Sequence, residues 1–119
     1  MIYGIGVDMV SISRIDKACK KESFLKHVFS CKEIELYRGN TSKFAANFAA
    51  KEAFSKALGT GVRGFGMKEV ELFRDDMGKP YYSFSGKAEK IVSAKNLRSY
   101  VSVTDEEDSV VVFTVLEVI

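Results

Sequence analysis

Asp8 sits inside an apolar run, Ile2 to Val10 (IYGIGVDMV). A carboxylate there needs a cation, a metal ion or a set of N–H donors, because burying a bare charge is costly. The alternative is a strand-end aspartate that caps the helix after it. Glu52 and Lys56 lie four residues apart in an Ala-rich stretch and share one face if that stretch is helical. The same spacing also describes an ordinary surface ion pair, common and weak. Gly59-Thr60-Gly61 follows, with Arg63 and Gly64 close behind. Glycines let backbone N–H groups approach a phosphate, and a plain helix stop uses the same residues. No G-K-[ST] follows, so this is not a P-loop, and the spacing is not that of a dinucleotide fingerprint.

Two acids, a lysine and a Gly-rich loop suit Mg2+ and a diphosphate. Carboxylates are hard ligands for Mg2+, which also takes substrate phosphate oxygens. A lysine stabilises developing phosphoryl charge. His27 is the sole histidine, which argues against a histidine metal site or a Ser-His-Asp triad.

Particular elements must hold these residues. Ile2 to Val10 reads as a buried strand ending near Asp8. Ser11 or Ser13 caps a following helix that carries a basic cluster of Arg14, Lys17, Lys20, Lys21 and Lys26. Ser30 and Glu33 have capping-box spacing, which predicts a short helix from Cys31 to Tyr37, broken by Arg38-Gly39-Asn40. Thr41 or Ser42 opens the clearest helix, Lys43 to Leu58 (KFAANFAAKEAFSKAL), rich in the best helix former. Gly59 suits its left-handed cap. Its small residues allow close approach by neighbours, so it is expected at the centre of the fold.

Glu69 to Arg74 and Tyr81 to Phe84 read as a hairpin around Asp75-Asp76-Met77-Gly78-Lys79-Pro80. Gly86 to Ala94 is a short helix. Tyr100 to Thr104 and Ser109 to Val118 form a last hairpin with Asp105 to Asp108 at its turn. Segregated helices and hairpins indicate one α+β domain spanning residues 1–119.

The net charge is +2, too small for a strongly basic nucleic-acid binder. The basic cluster after Ser13 and the acids Asp105 to Asp108 nonetheless give the chain local charge faces that can steer an acidic partner. Cys19 and Cys31 are too few for a disulfide framework and lack metal-site spacing, as expected of thiols in a reducing compartment. No signal-peptide pattern opens the chain, and no apolar run approaches the ~20 residues needed to cross a bilayer. A cytoplasmic protein is expected.

These residues, read together, resemble one family. IYGIGVDMVSISRI is similar to the G-I-G-x-D…R-I opening of bacterial holo-acyl-carrier-protein synthases. FAAKEAFSKALGTG, Phe48 to Gly61, resembles that family's most diagnostic segment, and the DMGKPY turn and the chain length agree. The resemblance covers nearly the whole chain. It implies an antiparallel sheet wrapped around a long central helix. It also implies Mg2+-dependent transfer of 4′-phosphopantetheine from coenzyme A to a serine of apo acyl carrier protein, releasing 3′,5′-ADP in support of fatty acid biosynthesis. By the same resemblance, Asp8 and Glu52 are the Mg2+ ligands and Lys56 neutralises the diphosphate. Gly59, Thr60 and Gly61 line the nucleotide site through their backbone. Arg14, with Lys17, Lys20 or Lys21, docks the acidic carrier. The family is typically a homotrimer with interfacial active sites. The acceptor of the serine proton stays open between Glu52 and an acid of the carrier.

Two places depart from the pattern. Asn47 stands where many members have arginine before Phe48, and Tyr100 and Asp105 stand where many have histidines. Lys43, Arg63 or another basic residue is expected to supply the missing charge. The competing readings are a degenerate module that binds coenzyme A or carrier without turnover, a structural protein whose Ala-rich helix is an interface, and a nucleic-acid binder using the basic cluster. Turnover with Mg2+ separates the first from the enzyme.

Overall fold

The computed structural model describes all residues, Met1–Ile119. Its centre is α4, Thr41–Leu58, closed by Gly59 in the left-handed conformation at φ 84°. Asn40, not Thr41 or Ser42, is the N-cap: its side chain accepts from the backbone N–H of Lys43 at 3.2 Å. Asparagine is among the best caps, so the helix begins two residues before Lys43. Burial on several sides of α4 explains its composition, since alanines let neighbours approach without leaving voids.

A three-stranded antiparallel sheet of order β1-β5-β4 covers one side of α4. The strands are β1 (Ile2–Ser11), β5 (Ser109–Val118) and β4 (Leu97–Glu106). The inner face of β5 buries Val110, Val112, Thr114 and Leu116. Gly4 and Gly6 on the inner face of β1 make the closest approach to α4. A Cβ built on Gly4 would lie 1.9 Å from the Ala57 carbonyl oxygen, and one on Gly6 would lie 1.9 Å from that of Ala53. Two strand residues rise about 6.6 Å and four helix residues about 6 Å, so the two glycines and the two alanines run in step. The same alternation turns Asp8 toward α4.

The sequence reading of β1 as a buried strand ending near Asp8 is corrected here: the strand runs on to Ser11 and is buried on one face only. Its outer face leaves Ile5, Val7 and Met9 exposed, with Phe113 of β5 beside Val7. A near-continuous apolar run is the pattern of a strand covered on both faces, and this chain covers one face.

A second sheet pairs β2 (Val70–Arg74) with β3 (Pro80–Phe84), preceded by a 3-10 turn at Met67–Glu69. The connecting turn is tied by Asp75, whose side chain accepts from the N–H groups of Met77 and Lys79, each at 2.9 Å. Helix α5, Gly86–Ala94, has the expected bounds. The last hairpin is longer than expected: Asp105 and Glu106 belong to β4, leaving a two-residue turn at Glu107 and Asp108.

The basic cluster spans two short helices and the break between them, not one helix. Helix α1 (Ile12–Cys19) ends before Lys20 and Lys21, and α2 (Glu22–Val28) carries Lys26. The break turns the chain so that Ile15 and Leu25 both reach the core around α4. Helix α3, Cys31–Tyr37, opens with the predicted capping box of Ser30 and Glu33.

Candidate active site

Asp8 projects from the inner face of β1 toward α4. Lys56, on the C-terminal half of α4, donates to the Val7 carbonyl at 2.9 Å and to Asp8 Oδ1 at 3.2 Å. Both bland readings of these residues therefore fail. Ser11 caps α1, accepting from the N–H of Arg14 at 3.2 Å, so Asp8 is not the cap. The lysine bridges across to Asp8, with no ion pair to Glu52 on its own helix.

Glu52 and Asp8 line one cavity of about 600 Å³. Phe24, Phe48 and Ile15 form its apolar wall, and Arg14 and Asp108 stand at its edge. Burial raises the Glu52 pKa, and the charge of Asp8 raises it further against the lowering effect of Lys56. Two carboxylates thus face one space with incomplete compensation, an arrangement that favours a cation between them. No group of three or more His, Cys, Asp and Glu converges anywhere. The donor set fits Mg2+, which is held by one or two carboxylates and completes its shell with water and substrate phosphate.

The other predicted residues sort by position. Arg14 reaches the cavity, while Lys17, Lys20 and Lys21 are exposed along and just after α1. Gly59, Thr60 and Gly61 form an exposed loop just beyond Lys56. Gly61 shares the left-handed conformation at φ 67°, and the Thr60 hydroxyl donates to the Gly61 carbonyl at 3.0 Å. This loop does not line the cavity of Asp8 and Glu52. The Tyr100 hydroxyl donates to Glu117 at 2.8 Å on the sheet surface.

Sequence reasoning missed a buried polar network beside the site. Lys51, the residue before Glu52, is almost fully buried and pairs with the equally buried Glu33 at 2.7 Å. Its ammonium also donates to the carbonyls of Met67 and Val70. Burial lowers the Lys51 pKa, and Glu33 opposes that shift. Asn47 is buried too, donating to Glu33 at 2.7 Å and to the Leu72 carbonyl at 3.0 Å. Arg74 of β2 donates to Asn47 Oδ1 at 2.8 Å and lies 4.8 Å from the Tyr37 ring centroid. The signal available in the sequence was Lys51 and Asn47 among alanines, since a charge on a buried helix needs a partner.

Comparison with known proteins identifies the family and the fold. A family model described as the 4′-phosphopantetheinyl transferase superfamily matches residues 4–112. A holo-[acyl-carrier-protein] synthase of Clostridium botulinum is 42% identical, with 100% of each chain covered. The crystal structure of a holo-[acyl-carrier-protein] synthase from Neisseria meningitidis superposes with a TM-score of 0.91 at 35% identity, covering 98% of this chain and 99% of that one. A Bacillus anthracis holo-(acyl-carrier-protein) synthase in complex with CoA (3′,5′-ADP) gives a TM-score of 0.81 at 30% identity, over 98% and 96%. The chain belongs to the 4′-phosphopantetheinyl transferase superfamily, among its holo-[acyl-carrier-protein] synthases.

Proposed function

We propose that this chain transfers 4′-phosphopantetheine from coenzyme A to a serine of apo acyl carrier protein, using Asp8, Glu52 and Lys56. The observation that carries the reading is the convergence of Asp8 from β1 and Glu52 from α4 on one cavity, with Lys56 seated on Asp8. Asp8 and Glu52 would hold Mg2+. When bound, the ion polarises the diphosphate and offsets its charge.

The residues of the chain do the rest by position and charge. The Lys56 ammonium is half-exposed at the rim, within side-chain reach of a diphosphate at the carboxylates. The carrier serine oxygen bonds to the β-phosphorus, the bridging P–O bond breaks, and 3′,5′-ADP leaves with the electron pair. The serine proton passes to a carboxylate, Glu52 or an acid of the carrier. The apolar wall of Phe24, Phe48 and Ile15 suits the pantetheine arm, and it keeps water from the phosphoryl group. Arg14, Lys17, Lys20 and Lys21 give an acidic carrier its docking charge. The Gly59-Thr60-Gly61 backbone lines the nucleotide. Arg74, with Lys43 on the same small pocket near Pro80, is the cation that answers for the loss of arginine at Asn47.

The exposed apolar face of Ile5, Val7, Met9 and Phe113 supports self-association, because such a patch marks an association surface; that the assembly is a homotrimer follows from the family resemblance. Light scattering giving a monomer at micromolar concentration would remove that part. No helix is long and apolar enough to cross a membrane; a cytoplasmic role in fatty acid biosynthesis is part of the same proposal and follows from the family resemblance.

The test is the intact mass of an apo carrier incubated with coenzyme A, Mg2+ and the protein, beside EDTA and Asp8→Ala controls. A gain of one phosphopantetheinyl group, lost in both controls, is expected. Coenzyme A binding without any gain, across several carriers, would make the chain a binding module.

A further inference from the structure

We infer that Asp108 is a positioning residue for the carrier: it clasps the first turn of α1 from the tip of the β4-β5 hairpin and so sets Arg14 and Lys17 relative to Asp8 and Glu52. The inference rests on the docking role proposed above for α1.

Helix α1 is eight residues long with Ile15 as its one buried side chain. A helix this short does not hold itself together, so its ends and its single anchor decide where its cations point. At its N-terminus the open backbone donors are met largely from outside the helix. The Ile12 N–H donates to the Asp108 carbonyl at 2.8 Å. The Ser13 N–H donates to Asp108 Oδ1 at 2.9 Å, and the Ser11 and Ser13 hydroxyls both donate to Oδ2 at 2.7 Å. Arg14 is the next residue, its N–H on Ser11. These bonds join the end of the strand that bears Asp8, the start of the helix that bears Arg14, and the hairpin tip.

A second feature points the same way. Glu107, beside Asp108 in the two-residue turn, has φ 54°. A side chain in that region is strained, and the conformation persists where surrounding contacts hold it. The turn directs both the carbonyl and the carboxylate of Asp108 onto α1. A carboxylate at a helix N-terminus also meets the positive end of the helix dipole. Asp108, Arg14, Asp8 and Glu52 all line the same cavity, so a shift of α1 moves the docking charge relative to the carboxylates. If the clasp is cut, α1 populates its docked pose for a smaller fraction of the time, and apparent carrier affinity falls by that fraction.

The experiment compares wild type with Asp108→Ala, Asp108→Asn, Ser13→Ala and Arg14→Ala. Initial rates are measured against carrier at saturating coenzyme A, and the reverse, with amide hydrogen exchange alongside. Asp108→Ala is expected to raise the carrier KM about fivefold, the scale of one lost cap, with the coenzyme A KM unchanged. Exchange at the Ser13 and Arg14 amides should speed while that of α4 does not. Asp108→Asn, which keeps an oxygen for the Ser13 N–H, should raise the carrier KM by less, about twofold. If Asp108→Ala fails to fold, Asp108→Asn and Ser13→Ala each cut part of the clasp, and both must raise the carrier KM. An unchanged carrier KM, or equal rises in both KM values, overturns the positioning role. Arg14→Ala separates the two claims: an unchanged carrier KM there sinks the docking reading. A raised one, with Asp108→Ala normal, sinks the clasp alone.

Discussion

Replacing Gly6 with alanine adds one methyl group where β1 crosses α4. That carbon would lie 1.9 Å from the Ala53 carbonyl oxygen, 2.8 Å from the Ala57 nitrogen and 2.9 Å from the Ala53 carbonyl carbon. Carbon–oxygen contacts begin near ~3.3 Å, so β1 must retreat from α4 by about 1.4 Å. Neither side yields easily. The obstructing atoms are helix backbone with no side chain to rotate away, and β1 is paired to β5 along almost its whole length. Overpacking of this kind costs about 1–3 kcal/mol and sometimes more, and backbone obstruction places Gly6→Ala at about 3 kcal/mol.

Asp8 lies two residues further along β1 and would move with it. A displacement of about 1 Å at a reacting centre costs roughly a hundredfold in rate. Urea unfolding followed by far-UV circular dichroism measures the first effect, the chain having no tryptophan. Transfer rates at a temperature where the variant is folded measure the second. Gly4→Ala meets Ala57 equally closely but lies further from Asp8, so it should match the stability loss and spare more of the rate. At an open position the same change stabilises by about 0.4–1 kcal/mol through the unfolded chain. A gain of that kind in Gly6→Ala, with normal transfer, would refute the close-approach account of the site.

Other outcomes follow from the same contacts. Lys51→Met strands the buried Glu33 carboxylate and should lower the unfolding free energy by about 3–5 kcal/mol in urea titration. Glu52→Gln should abolish transfer yet raise the melting temperature of the metal-free protein, because it removes a carboxylate whose charge is opposed by burial and by Asp8. Hydrogen bonds from Ser13 and Ser11 hold the Asp108 carboxyl below the usual aspartate range. Its clasp is therefore in full force above the unfolded aspartate value and is lost as pH falls through the lower folded one; melting temperatures from pH 5 to 2 should fall less steeply in Asp108→Asn than in wild type, the remaining fall coming from other carboxylates such as Glu69. Burial pushes the Cys19 thiol up to about 11, whereas Cys31 is exposed. Alkylation at pH 8, read by mass spectrometry, should thus modify Cys31 in the native protein and Cys19 after unfolding.

Much of this protein was legible in the order of its residues. The bounds of α3 and α5, the stop of α4 at Gly59 and the turn before Pro80 follow from caps, glycines and periodicity, which act over a few residues. The acids and lysine of the site were visible because charges stand out among alanines and β-branched residues. Tertiary structure decided which charges meet. Glu52 and Lys56 share a helix face, yet Lys56 reaches across to Asp8, because Gly4 and Gly6 bring β1 onto the backbone of α4. Asn47 replaces an arginine in the sequence pattern, yet the fold buries it and sets Arg74 against it. Asp108 lies nearly a hundred residues after Ser13 and still meets its N–H. Local signals specify elements because backbone propensities and caps are short-ranged. Side-chain partners are set by which elements pack, and for this chain that was settled where two glycines left room for a helix.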